Sequence, residues 1–321
     1  MELIRETLEG LTVGSPVEGA ALTMSPLLGA NGRSPAYDLA RVAFERGTLE
    51  VTEVSEGGSV PTLAVVNSGD RPVLLIDGEE LVGAKQNRVL NVTVLVPAHQ
   101  TLAVPVSCVE AGRWHYRSRG FKDADWVMDR EGRARKMRDV DESLRRRRTR
   151  EGSQSKVWAH VADMSARLDV DSPTGAQEAM YARHRDRLND DVARLKHVEH
   201  QVGAVFAVGG RVCGLEVVDS PASFRALLPK LVRSHVLDAA ARRRARAAPE
   251  SVPEFLMAVA ALETERFPGV GLGEEVRLRG RRYVGAGLVA DGTLLQLSVL
   301  EDPEWRPARG EASPQQPLFV D

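Results

Sequence analysis

The chain has 321 residues, with 43 Lys+Arg against 45 Asp+Glu, a net charge of −2, 43% apolar residues and 5% aromatics. This is the composition of a soluble globular protein able to bury a core in one large domain or two smaller ones, and its near-neutral balance argues against a dedicated nucleic-acid binder. Two cysteines far apart, no metal-ligand spacing, an acidic N-terminus and no long apolar run argue against a disulfide framework, structural zinc and a membrane span, and predict a cytoplasmic location.

Up to about residue 122 the chain reads as strand-rich. Ser34-Pro35, then Leu39, Val42 and Ala43, then Gly47 predict one short capped helix. The runs 49–55, 60–67, 71–77, 88–96 and 101–109 are dense in Val, Leu, Ile and Thr and are separated by turn residues, which favours an antiparallel sandwich or barrel. From 123 to 200 the chain is polar and helical. Arg, Asp and Glu on every face of 129–150, including Arg145 to Arg148, predict a solvated helix or a mobile excursion. Val157, Val161, Met164 and Leu168 recur at helical spacing behind Ser153, and Thr174-x-x-Gln177 resembles a capping box opening a further helix. From 201 to 300 the runs 202–208 and 211–218 flank a Gly209-Gly210 hairpin signal, and helices start at Ser220-Pro221 and Ser251. Strands 275–279, 282–289 and 293–300 follow, the last two joined through Asp291-Gly292. Residues 301–321 read as a disordered tail. The four sections 1–122, 123–200, 201–300 and 301–321 give an α+β fold: a strand-rich antiparallel N-terminal half, then helices, then a mixed helix and hairpin section.

The segment Gly78-Glu-Glu-Leu-Val-Gly-Ala-Lys-Gln-Asn-Arg88 concentrates polar chemistry between predicted strands. It misses a phosphate-binding loop, because Ala84 intrudes before Lys85, Gln86 stands where Ser or Thr would hold magnesium, and a strand follows in place of a helix. Strand parity puts Leu90, Val92, Val94 and Val96 on one face with Leu102, Val104, Val106 and Cys108 on the core side of the next run. Asn91 and Ser107 then share the other face, with Lys85 and Asn87 in phase and Glu79, Glu80, Arg88 and Glu110 at the rim. Such a patch suits a polar ligand bearing phosphate and hydroxyls, or is the wet side of a one-sided sheet. Cys108 reads as a small core hydrophobe ahead of a nucleophile paired with His115 or Glu110. Trp114 suits stacking on a base or packing as a lid. Ser153 to Lys156 put donors at a helix start, where capping is the simpler role. His197 and His200, one turn apart, lack a third metal ligand, the tracts Arg145–Arg148 and Arg242–Arg244 read as solvated, and Gly269 to Gly273 reads as a turn.

The Gly78 to Arg88 run, Asn91, Leu95-Val96-Pro97, Val106 to Glu110 and Gly112-Arg113-Trp114 resemble the ARG and rhodanese-phosphatase-superfamily-associated protein domain. Gln154 to Trp158 and Gly203 to Phe206 through Leu231 to Ser234 extend the resemblance over roughly residues 1–300. The family is bacterial and named for gene neighbours that include ADP-ribosylglycohydrolases, which implies a role near NAD-derived or ADP-ribose chemistry. Its motif carries over to Glu79, Glu80, Lys85, Gln86, Asn87, Arg88, Asn91, Ser107, Cys108, Glu110, Trp114, Gln154, Ser155 and Trp158. The resulting expectation is an ADP-ribose-like nucleotide on the polar sheet face. Lys85 and Arg88 take the pyrophosphate, Glu79 or Glu80 a ribose diol and Trp114 a base, with Glu80 or Glu110 as general acid/base if turnover occurs. The alternative is a non-enzymatic interaction module using the same patch. The sequence assigns no cofactor, metal or oligomeric state.

Overall fold

Alternating Val and Leu between residues 49 and 127 build a six-stranded antiparallel sheet in a computed structural model that describes residues 2–29, 34–241 and 249–306. Its order is Phe121–Val127, Glu79–Gly83, Arg88–Leu90, Gln100–Cys108, Thr62–Asn67, Leu49–Glu53. The long central strand pairs residues 100–105 with Thr62–Asn67 and residues 106–108 with Arg88–Leu90, and Val51, Leu63, Val65, Leu81, Leu90, Val104 and Val106 form the core on one face. A small sheet orders Val94–Val96, Val73–Leu75 and Asp38–Leu39, the last pair parallel. That pairing shortens the first predicted helix. Asp38 and Leu39 stay extended to bond Val73–Leu75, so the helix is Ala40–Glu45 and Ser34-Pro35 lie outside it.

The second, nine-stranded antiparallel sheet runs Thr12–Val13, Thr23–Leu28, Gln201–Val208, Arg211–Val218, Thr293–Glu301, Tyr283–Ala290, Glu274–Arg279, Glu263–Pro268, with Val17–Glu18 also on Thr23–Leu28. Gly209 and Gly210 have φ of +61° and +84°, and Asp291 and Gly292 have +48° and +69°, the left-handed pairs that two-residue hairpins need. The strand Thr23–Leu28, which the sequence pattern did not show, pairs with Gln201–Val208, so the first and third sections share one sheet.

The charged stretch is a helix, Arg130–Arg147, but the expectation of a solvated or mobile element is corrected: Arg130, Glu131, Arg133 and Lys136 are buried with Ala134, Met137 and Val140. Their partners sit on other elements. Arg130 Nε donates to Asp238 at 2.7 Å, Arg133 Nη1 to Glu216 at 2.6 Å, and Lys136 Nζ to Asp77. Helix Gln154–Arg167 lays Val157, Val161 and Met164 into a core shared with Val89 and Val109. The predicted capping box at Thr174 is also corrected, because its hydroxyl donates to Glu110 at 2.8 Å and Gln177 is already in helical conformation. The helices there are Glu178–Arg183 and Arg185–Arg194. Helices Pro221–Ala241 and Val252–Ala260 follow Ser220 and Ser251, which accept from Ser223 N at 3.1 Å and Glu254 N at 3.3 Å. The start of the expected tail packs on the sheet: Glu301 ends a strand, and the Trp305 ring lies 4.6 Å from the Arg211 guanidinium and 4.9 Å from that of Arg282. Residues 307–321 of that tail and Arg242–Arg244 lie outside the described residues. No described helix is long and apolar enough to cross a membrane.

Candidate functional site

The motif strands are covered on both faces. Val89 and Val109 meet helix Gln154–Arg167, while Leu90, Val92, Val104 and Val106 face the core of the six-stranded sheet. Asn91 and Ser107 do share a face, as parity requires, but they are buried there: Ser107 Oγ donates to Asn91 Oδ1 at 2.7 Å and Asn91 Nδ2 to Arg150 O at 2.9 Å. Gln154 fastens the helix to the sheet edge, accepting from Cys108 N at 2.9 Å and donating to Cys108 O at 2.8 Å. Ser155 is exposed beside it, Trp158 is half-buried, and Ser153 makes no side-chain cap bond. Cys108 is a buried free thiol whose pKa burial pushes up, consistent with a core role. The sheet face expected to meet a ligand is therefore an interior.

Around Asn87, at the start of strand Arg88–Leu90, the two carboxyls weighed for proton transfer diverge. Glu80 accepts from Trp126 Nε1 and Gln177 Nε2, both at 2.7 Å, and from Asn87 Nδ2 at 3.4 Å. Burial, aided by the nearby charge of Glu178, outweighs these donors and pushes its pKa up to about 7. Glu110 is held below the usual carboxylate range, because burial is overcome by Arg113, the Asn87 amide N–H and the Thr174 hydroxyl. Its oxygens lie 2.9 and 2.6 Å from Arg113 Nε and Nη2. Asn87 joins the two, and its Nδ2 also donates to Glu178 at 3.1 Å, which meets the exposed Arg117. Glu79 is committed elsewhere, to Lys230 at 2.8 Å and to the Ile76 amide at 2.9 Å. Gln86 spans Glu110 O and the Arg88 guanidinium. An acid whose folded pKa exceeds its unfolded one contributes stability that is complete below about 4.5 and lost as pH rises towards 7. Urea denaturation should therefore show the stability of the wild type, relative to Glu80→Gln, falling between those values and level above them.

On the opposite face of the same strand end, Lys85, Arg88 and Trp114 come together with a residue that the motif does not contain. Arg88 is fully buried on the core side of its strand. Its Nη1 donates to Gln86 O at 3.0 Å, whereas Nε and Nη2 have no hydrogen-bond partner. Facing it is Glu53, also buried, both of whose oxygens lack a partner, with Oε1 3.8 Å from Arg88 Nη2. Trp114, 46% exposed, covers the pair, its ring centroid 5.8 Å from the Arg88 guanidinium carbon. Lys85 Nζ lies 5.2 Å from that ring and 5.1 Å from the Tyr116 ring, and donates to Gly57 O at 2.8 Å. Gly58, at φ +75°, completes the cradle: a Cβ there would stand 3.2 Å from Lys85, 3.3 Å from Glu53 Oε2 and 3.4 Å from Trp114. One signal for Glu53 was present in the sequence, since it stands in phase with Leu49 and Val51 on the buried face of its strand. Arg113 stood out only within the Gly112-Arg113-Trp114 run and Thr174 and Gln177 only as a capping-box pattern, and Glu178 carried no signal.

Among the described residues no group of three or more His, Cys, Asp or Glu could hold a metal. His197 instead meets Gln201 O at 2.9 Å, and Gly269 N closes its turn on Gly273 O at 2.9 Å.

Fold and site together define an α+β protein whose motif is a buried polar network ending in one aromatic-covered charge pair. The chain belongs to the ARPP-1 family, the ARG and Rhodanese-Phosphatase-superfamily-associated Protein domain, which it matches over residues 10–300. No curated protein and no solved structure matches it.

Proposed function

We propose that this protein binds a nucleotide-like ligand of the ADP-ribose or NAD-derived kind at the end of the six-stranded sheet covered by Trp114. The observation that carries this is the ion pair Arg88 and Glu53, buried with four polar atoms that make no hydrogen bond beneath an exposed tryptophan. Buried polar groups are ordinarily satisfied, so an unmet set that faces a removable cover is suited to a ligand. Trp114 and Tyr116 offer stacking surfaces, and Lys85, which is not fully buried, offers a cation to phosphate. The ribose role expected of Glu79 or Glu80 passes to neither, because Lys230 and Trp126 already engage them. Glu80 has the proton affinity of a general acid, but it pairs with Val89, one position out of phase with Arg88, and points to the opposite face. The function supported is therefore binding.

Calorimetric titration with ADP-ribose, NAD and AMP tests it. At least one should bind, and Trp114→Ala should weaken that binding about tenfold to a hundredfold, the usual worth of one stacked base. No heat with any of the three, while a partner protein co-purifies, would favour the interaction module.

A further inference from the structure

Resting on that function, the chemistry of the Trp114-covered end narrows the ligand. Arg88 was expected to take a pyrophosphate, yet its charge is answered by Glu53 at 3.8 Å, and a phosphate brought there would meet that carboxylate at a buried position where solvent screens little. The atoms that make no hydrogen bond are of two kinds lying side by side, 3.8 Å apart at their nearest: donors Nε and Nη2 of Arg88, and acceptors Oε1 and Oε2 of Glu53. A group that satisfies both must donate and accept from neighbouring atoms, and a flat group fits best under an indole. We infer that Glu53 and Arg88 read the edge of a planar ring carrying an adjacent donor and acceptor, such as a primary carboxamide or the amino-and-ring-nitrogen edge of a purine, while the phosphate stays outside on Lys85.

Entry requires Trp114 to move, and its loop permits this. Among the described contacts, the outer part of the loop is held to residues 56 and 57 by Tyr116 Oη on Glu56 O at 3.4 Å and by Lys85, lying between the Trp114 and Tyr116 rings, on Gly57 O. Arg113 anchors its root with five hydrogen bonds and holds His115 O with a sixth, so the Trp114 side chain can swing out and close over a bound ring without unfolding the strand beneath.

The test uses two matched pairs on the full chain: AMP against purine riboside 5′-monophosphate, which lacks the amino donor, and nicotinamide mononucleotide against its nicotinate counterpart, whose carboxylate cannot donate. For the pair whose ring is the true ligand, the analogue should bind at least about tenfold more weakly, because it leaves a buried carboxylate unmet. Glu53→Gln should shrink that ratio. The double variant Glu53→Leu with Arg88→Met should abolish it while the chain stays folded, since exchanging both members of a buried pair for apolar side chains is tolerated where removing one is not. Analogues that bind as tightly as their parents, with all binding still dependent on Trp114, would overturn the edge-reading inference and leave nucleotide binding standing. If none of the four binds while ADP-ribose or NAD does, the edge-reading inference fails alone; if none of these binds, both fail.

Discussion

Replacing Asp77 with alanine is expected to destabilise the protein by about 3–5 kcal/mol, the usual effect of stranding a buried charge. Asp77 is the partner of Lys136 Nζ and lies 3.5 Å from Arg133 Nε, all three side chains being inaccessible to water. Lys136 would keep only the carbonyls of Leu90 and Asn91, at 2.8 and 3.2 Å. The loss would reach beyond one ion pair, because Arg133 continues to Glu216 and Ser298 at 2.6 and 2.8 Å, and Gln296 returns to Thr93 at 2.8 Å. This chain of bonds is the polar joint between the motif-bearing sheet and the nine-stranded sheet. Equilibrium urea unfolding measures the effect, and Asp77→Leu combined with Lys136→Met should recover most of it, since both members of the pair then leave together.

Arg113→Ala should have a comparable effect, again about 3–5 kcal/mol, and a second consequence at the proposed ligand site. Arg113 binds both oxygens of Glu110, the carbonyls of Gly83, Ala84 and His115, and Asn87 Oδ1. Two of these bonds hold the turn at Gly83 and Ala84, whose φ values of +134° and +38° lie in the left-handed region, the second on a residue with a side chain. Removing the guanidinium frees that turn and the loop root carrying Trp114, so nucleotide binding should fall with stability. The pH dependence gives a separate signature. With Glu110 held below its usual pKa, its contribution is present above the normal glutamate range and is lost as pH falls through the depressed value. The variant loses the largest of the groups that oppose burial and keeps only the Asn87 and Thr174 donors, so that acid-side loss should shrink in thermal melts recorded between pH 3 and 6.

The hairpins at Gly209-Gly210 and Asp291-Gly292 were legible because a two-residue turn is a local demand on φ. The shared face of Asn91 and Ser107 was legible because strand parity is local too. What covers that face was not. Arg130, Arg133 and Lys136 look like a solvated helix in sequence, since their partners Asp238, Glu216 and Asp77 lie 108, 83 and 59 residues away. A helix that buries charge by pairing it across sheets has no local pattern to betray it. Glu53 shows the converse. Its phase with Leu49 and Val51 marks a charged residue on a core face, the kind of local inconsistency that accompanies a site.

The most direct measurement is the NMR signal of the Arg88 Nε–H, identified by its loss in Arg88→Lys and followed while nucleotide is added. Ligand binding at the Trp114-covered end should shift this proton and slow its exchange with solvent as a new acceptor meets it. An Arg88 signal that stays fixed while a nucleotide saturates the protein would place the ligand elsewhere and contradict the site.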